Sequence, residues 1–182
     1  MSSAVNAVNA DGTLKRFPTP EPTSPACAAA FNGDTSMLST LHWKQLLERD
    51  ASSNTPLIWA ADQGHHTALE LILSVLEKEE PSHINLRGYI GNTAISRAAR
   101  GGHVECVEAL LGASKINPNI ANDKVQYPLH FAAFKRHPAV VKALLASPLC
   151  DTMVTDRKGR TPAEDTNDEA IRALILESRL DK

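Results

Sequence analysis

The chain has 182 residues, with 42% apolar side chains but only 4% aromatic ones, and a formal charge of -2. That length allows one ordinary domain or a short repeat array, and a core so poor in aromatics is aliphatic, as in stacked helices rather than β-sandwiches. The near-neutral charge gives no global pull toward nucleic acid or an anionic membrane, and no apolar run approaches the roughly 20 residues that span a bilayer. Three widely spaced cysteines, Cys27, Cys106 and Cys150, form no CxxC pair, which argues against a disulfide framework or a zinc site and fits a reducing compartment. The opening MSSAVNAVNADGTLKRF has no basic start followed by an apolar block, so a secretory signal is not expected. A cytoplasmic and/or nuclear protein follows as the expectation.

In chain order, residues 1–18 are small and polar and predict a flexible tail. Residues 19–25, TPEPTSP, are held extended by their prolines and contain two Ser/Thr-Pro pairs. They read as a stiff lead-in to the first helix, with proline-directed phosphorylation as the alternative. A motif then recurs: a turn, a Thr-Pro-Leu-His-like start, Ala-Ala, a Gly-His-like break and a Leu-Leu pair. A weak copy begins at Ser24 (SPACAAAFNGDTSMLSTLH), followed by WKQLLERDASS, where Trp43, Leu46 and Leu47 are apolar enough to pack. Clear copies begin at Thr55 (TPLIWAADQGHHTALELIL), Thr93 (TAISRAARGGHVECVEALL) and Tyr127 (YPLHFAAFKRHPAVVKALL), at steps of 38 and 34 residues. About five extra residues around Glu77-Lys78-Glu79-Glu80-Pro81 lengthen the second helix of one copy or bulge the loop after it. A last copy at Thr161 (TPAEDTNDEAIRALIL) has a shortened first helix.

Each part of the motif has a physical reason. Thr at a helix N-cap accepts from an exposed backbone N–H, and Pro suits the first helical position. Ala60-Ala61, Ala98-Ala99 and Ala132-Ala133 let the first helix pack closely on its neighbours. Gly64 and Gly102 end it in the left-handed conformation. The second helix carries apolar residues at helical spacing: Val104, Val107, Leu110 and Leu111, then Val140, Val141, Leu144 and Leu145.

On these copies the chain resembles the ankyrin-repeat family from about Thr19 to its end. The resemblance implies an all-α solenoid of about five helix-turn-helix repeats over residues 19–182, starting near Thr19, Ser52, Gly88, Asn122 and Asp156. Its outer copies are degenerate because each has one face toward water. Two departures stand out: Arg136 replaces the usual Gly of the third clear copy, and Val125 replaces the Gly of its turn. Either is able to distort the local turn, although His137-Pro138 still suits the restart of a helix.

Seven histidines invite a metal or catalytic reading. His65, His103 and His137 stand where the family has its Gly-His, and His130 completes Tyr-Pro-Leu-His. The resemblance implies that all four are structural, bonding backbone groups at turns and helix starts. There is no GxSxG, no phosphate-cradling Gly loop with Lys and no HExxH. Cys27 and Cys106 read as packed, and the acidic pairs Glu164-Asp165 and Asp168-Glu169 as a solvated cap. No cofactor, no metal and no catalysis are expected.

The resemblance places a binding surface on the concave face, made by turn tips and the exposed edge of the first helices. The candidate residues are Tyr89, Ile90, Asn92, Arg100, Lys124, Gln126, Phe134, Lys135, Arg157, Lys158 and Arg160. Tyr89-Ile90 and Phe134 are large and apolar where water is expected, and aromatic and Arg anchors are typical of hot spots. Lys124, Lys135, Arg136, Arg157, Lys158 and Arg160 gather against only Asp123 and Asp156. This pattern suits an acidic segment or helix of a partner protein. The alternative is that Tyr89 and Phe134 pack on a neighbouring turn and the charges merely solvate. The expected function is a non-catalytic adaptor, inhibitor or assembly chaperone, monomeric by itself. The other readings are a regulatory or targeting subunit of a ubiquitin ligase, phosphatase or proteasome-assembly complex, and, more remotely, a nucleic-acid-associated factor.

Overall fold

The computed structural model describes residues 21–180. Ten α-helices follow one another in pairs: α1 (Pro25–Asn32) with α2 (Thr35–Thr40), α3 (Pro56–Gln63) with α4 (His66–Glu79), and α5 (Ala94–Gly101) with α6 (Val104–Leu111). Next come α7 (Pro128–Phe134) with α8 (Pro138–Ala146), and α9 (Pro162–Asp165) with α10 (Glu169–Glu177). The first helices of successive pairs pack on one another in one layer, and the second helices do so in another.

Local chemistry sets each start. The Thr55 and Thr93 hydroxyls accept from the backbone N–H groups of Ile58 and Ser96, and Ser24 caps α1 through Cys27. Proline fills the first position of α1, α3, α7 and α9. The Ala-Ala pairs are fully buried, which brings the first helices close together. Large apolar side chains of the second helices, among them Leu69, Ile72, Val107, Leu110, Val140 and Leu144, complete an aliphatic core. Each buried Leu or Ile contributes about 2 kcal/mol of transfer free energy.

The inserted residues lengthen α4 to 14 residues, against 8 and 9 in α6 and α8, and a 3-10 turn at Pro81–Asn85 follows. The segment after His42 forms a 3-10 turn, Trp43–Leu47, that buries Leu46. The last copy is shortened as expected, α9 having four residues. The predicted tail, residues 1–18, lies outside the described residues.

Between pairs the chain projects a finger, closed in each case by the same end-to-end backbone bond: Asp50 N–H to the Asn54 carbonyl, Gly88 to Asn92, Asn122 to Gln126, Asp156 to Arg160. Ser53, Gly91, Val125 and Gly159 hold the same place in the four fingers, all with positive φ. Val125 at φ 58 therefore keeps the turn undistorted, as does Arg136 at φ 59. Arginines lace the fingers together. Arg49 donates to the Arg87 carbonyl, Arg87 pairs with Asp123 at 2.6 Å, and Arg157 donates to the Asp123 carbonyl. On the other side of the stack, Asn85 donates to Lys115 O and accepts from Asn117 N–H. Asn119 repeats the clamp on Leu149 and Asp151, 34 residues on.

Candidate functional site

The four histidines are structural. The Nε2 atoms of His65, His103 and His137 lie 2.9, 3.2 and 3.2 Å from the carbonyl oxygens of Phe31, Asp62 and Arg100, one repeat earlier. A carbonyl only accepts, so Nε2 carries the proton. His130 reaches forward to the Arg160 carbonyl at 3.0 Å. The same rings dictate the glycines. A Cβ on Gly64 would stand 2.4 Å from His103 Nδ1, and one on Gly102 would stand 2.8 Å from the His137 ring. Among the described residues, no three His, Cys, Asp or Glu side chains are grouped so as to hold a metal ion. Cys27 and Cys106 are buried, and burial pushes both thiols up to about 11, which disfavours the nucleophilic thiolate.

The finger side carries the candidate binding surface. Tyr89 and Phe134 are 45% and 59% exposed, and Lys135 Nζ stands 5.9 Å from the centre of the Phe134 ring. Ile90 is half-buried. A groove of about 290 Å³ between the third and fourth fingers brings together Lys124, Gln126, Asp156, Arg157, Lys158 and Arg160. Five of the eleven candidates thus line one feature.

Three candidates play other parts. Asn92 is buried, with its amide donating to Tyr89 O and its oxygen accepting from Asn122, so it holds two fingers in register and offers no surface. Gln126 uses its side-chain oxygen on Asn122. Arg160 is paired with Asp156 at 2.7 Å and with Asp165 at 2.6 Å. The sequence tally of acids omitted Asp165, which lies in the next helix. Asp156 accepts from the backbone of Arg160 and from its guanidinium, which brings its carboxyl down to about 2. The groove is therefore less basic than its sequence, with its positive character resting on the exposed Lys124, Arg157 and Lys158.

A second cluster escaped the sequence reading. Arg100 Nη2 and Arg97 Nη1 both approach Asp62 Oδ1, at 3.1 and 3.4 Å. The Arg97 side chain is only 8% exposed, and its Nε is buried without a hydrogen-bond partner. Burial pulls its pKa below the usual arginine value, against the opposing charge of Asp62. The signal was present in the repeat: Arg97 occupies the place held by Trp59 and Phe131 in the neighbouring copies, where the motif is apolar.

Comparison with known families decides the class. The description "Ankyrin repeats (3 copies)" matches residues 26–122, 74–156 and 95–179. The chain belongs to the ankyrin-repeat family. Ankyrin repeats bind other proteins, and the repeat domain is not itself catalytic. This ankyrin-repeat chain is 38% identical over 98 residues to the probable E3 ubiquitin-protein ligase XBOS32 of Oryza sativa subsp. japonica, covering 51% of this chain and 18% of that protein. It is 34% identical over 110 residues to the E3 ubiquitin-protein ligase XBAT33 of Arabidopsis thaliana, covering 60% and 20%. It is 29% identical over 120 residues to the mitochondrial liver isoform of glutaminase of Mus musculus, covering 65% and 19%. The chain spans about a fifth of the length of each of these relatives. Ligases and a glutaminase share the repeat, so the repeat alone does not carry either activity.

Proposed function

We propose that this ankyrin-repeat chain is a non-catalytic docking module that holds an acidic segment or helix of another protein on its finger side. The supporting observation is the presence of two exposed aromatics, Tyr89 and Phe134, and a groove lined by Lys124, Arg157 and Lys158, in a family whose repeats bind proteins. Aromatic anchors supply buried area at low entropic cost, and rim cations steer an acidic partner and fix its register. In affinity capture, the wild type retains a partner that a Tyr89→Ala/Phe134→Ala variant loses, with equal helicity by circular dichroism. Capture of the same proteins by both would move the binding surface elsewhere.

A narrower reading makes the chain the targeting element of a ubiquitin ligase, favoured by the ligase names of several relatives. Co-purification with a ligase at fixed stoichiometry supports it, and a partner set free of ligase components argues against it.

A further inference from the structure

In the last turns of the first helices, the positions following each Ala-Ala pair are Phe31, Asp62, Arg100 and Phe134. Two of the four meet directly, Arg100 Nη2 on Asp62 Oδ1. Their backbones are pinned as well, since His103 donates to the Asp62 carbonyl and His137 to that of Arg100. Behind them lies the buried Arg97. Two guanidiniums thus share one carboxylate oxygen, and the cluster carries one uncompensated positive charge. Arg97 holds that oxygen by a single long contact and leaves its Nε unbonded. A buried cation compensated this poorly is costly where an apolar side chain would fit, and the neighbouring copies put Trp59 and Phe131 in the same place. Asp62 and Arg100 reach the surface, with side chains 14% and 40% exposed. Low surrounding dielectric concentrates the excess charge there, which favours an arriving anion.

We infer that Arg97 and Arg100 form an anion seat for a carboxylate side chain of the bound polypeptide, with Asp62 as the internal acid that the incoming carboxylate competes against. This inference rests on the finger-side reading and adds its central polar contact. Arg100 supplies the exposed donors of a charge-assisted bond. Arg97 is a positioning residue that acts through its charge from below.

The two substitutions that test this have opposite signs. Arg97→Leu restores an apolar residue at a site that is apolar in neighbouring copies, so the fold is kept. Asp62→Asn removes the internal competitor and leaves the geometry. The probe is a fluorescein-labelled, end-capped Glu-Leu-Glu-Leu-Glu peptide, read by fluorescence polarisation, with the Gln-Leu-Gln-Leu-Gln peptide as the uncharged control. The expected result is binding of the Glu peptide alone, weakened about tenfold or more in Arg97→Leu and strengthened several-fold in Asp62→Asn. Thermal stability of Arg97→Leu is expected to equal or exceed wild type, which separates lost binding from lost structure. Tyr89→Ala/Phe134→Ala is run beside them. If that variant loses the peptide while Arg97→Leu and Asp62→Asn bind it as wild type does, the anion seat is overturned and the finger-side reading stands. If all variants bind alike, both are overturned. Equal binding of the Gln peptide, or no binding of the Glu peptide, overturns the seat.

Discussion

Arg136 and Val125 hold left-handed backbone that favours glycine, and the two differ in how they come to be tolerated. Gly33, Gly64 and Gly102 each lie under the imidazole of the following copy, which leaves no room for a side chain. Arg136 has the equivalent place in the fourth copy, but the fifth copy contains no histidine. Thr166 does the bridging there, its hydroxyl donating to Ala133 O at 3.0 Å. The steric demand for glycine is gone and only the conformational cost remains, roughly 1–2 kcal/mol for an L-residue. Glycine returns about 0.5–1 kcal/mol of that through its freer unfolded chain. Arg136→Gly is therefore expected to stabilise the protein by about 0.5–1 kcal/mol, read as a raised urea midpoint. An unchanged or lowered midpoint would show that the exposed Arg136 side chain makes a compensating contact. Val125 offers a smaller gain, because its half-buried side chain would be lost as well.

Stacking of one helix pair on the next rests on glycine in a way that conformation alone does not explain. Gly64 and Gly159 share a φ of 75, yet an added Cβ meets the His103 ring at Gly64 and nothing within 4 Å at Gly159. Gly159→Ala is expected to cost about 1 kcal/mol, the strain of the turn, and Gly64→Ala at least about 2 kcal/mol more than that. Denaturant unfolding of the pair isolates the contribution of the ring-on-glycine contact. Equal losses would mean that the imidazole moves aside freely. The helix starts, the Ala-Ala pairs and the left-handed helix ends at Gly64 and Gly102 were legible in the sequence because their chemistry lies within one copy, whereas the rings that press on those glycines come from the next. Asn85, Asn119, Arg160–Asp165 and the Asp62–Arg97–Arg100 cluster were less so. Most of those contacts join residues about 30 or more positions apart, and their partners are fixed only once the repeats are in register. Asn92 shows the same limit: its finger position predicted exposure, but its side chain turns in to bond Tyr89 and Asn122.

At the scale of the whole stack, stability is a sum of repeats and the interfaces between neighbours. The seam of first helices is densest from α1 to α5 and thins toward α9, which has only four residues. Amide hydrogen exchange is expected to show the strongest protection in α3 and α5 and the weakest in α9 and α10. Uniform protection along the chain would instead mark a single all-or-none unit. The proposed binding face spans this gradient, with Tyr89 in the well-packed middle and the Lys124–Arg160 groove at the looser end. The histidine bridges also give the stack a direction. His65, His103 and His137 each donate to the repeat before them, so a repeat's turn is completed only by its successor. On a ribosome releasing the chain from its N-terminus, each of the first three repeats keeps an open carbonyl and an uncovered glycine until the next one follows. The three bridged repeats thus lock in the order in which they are made, one repeat late.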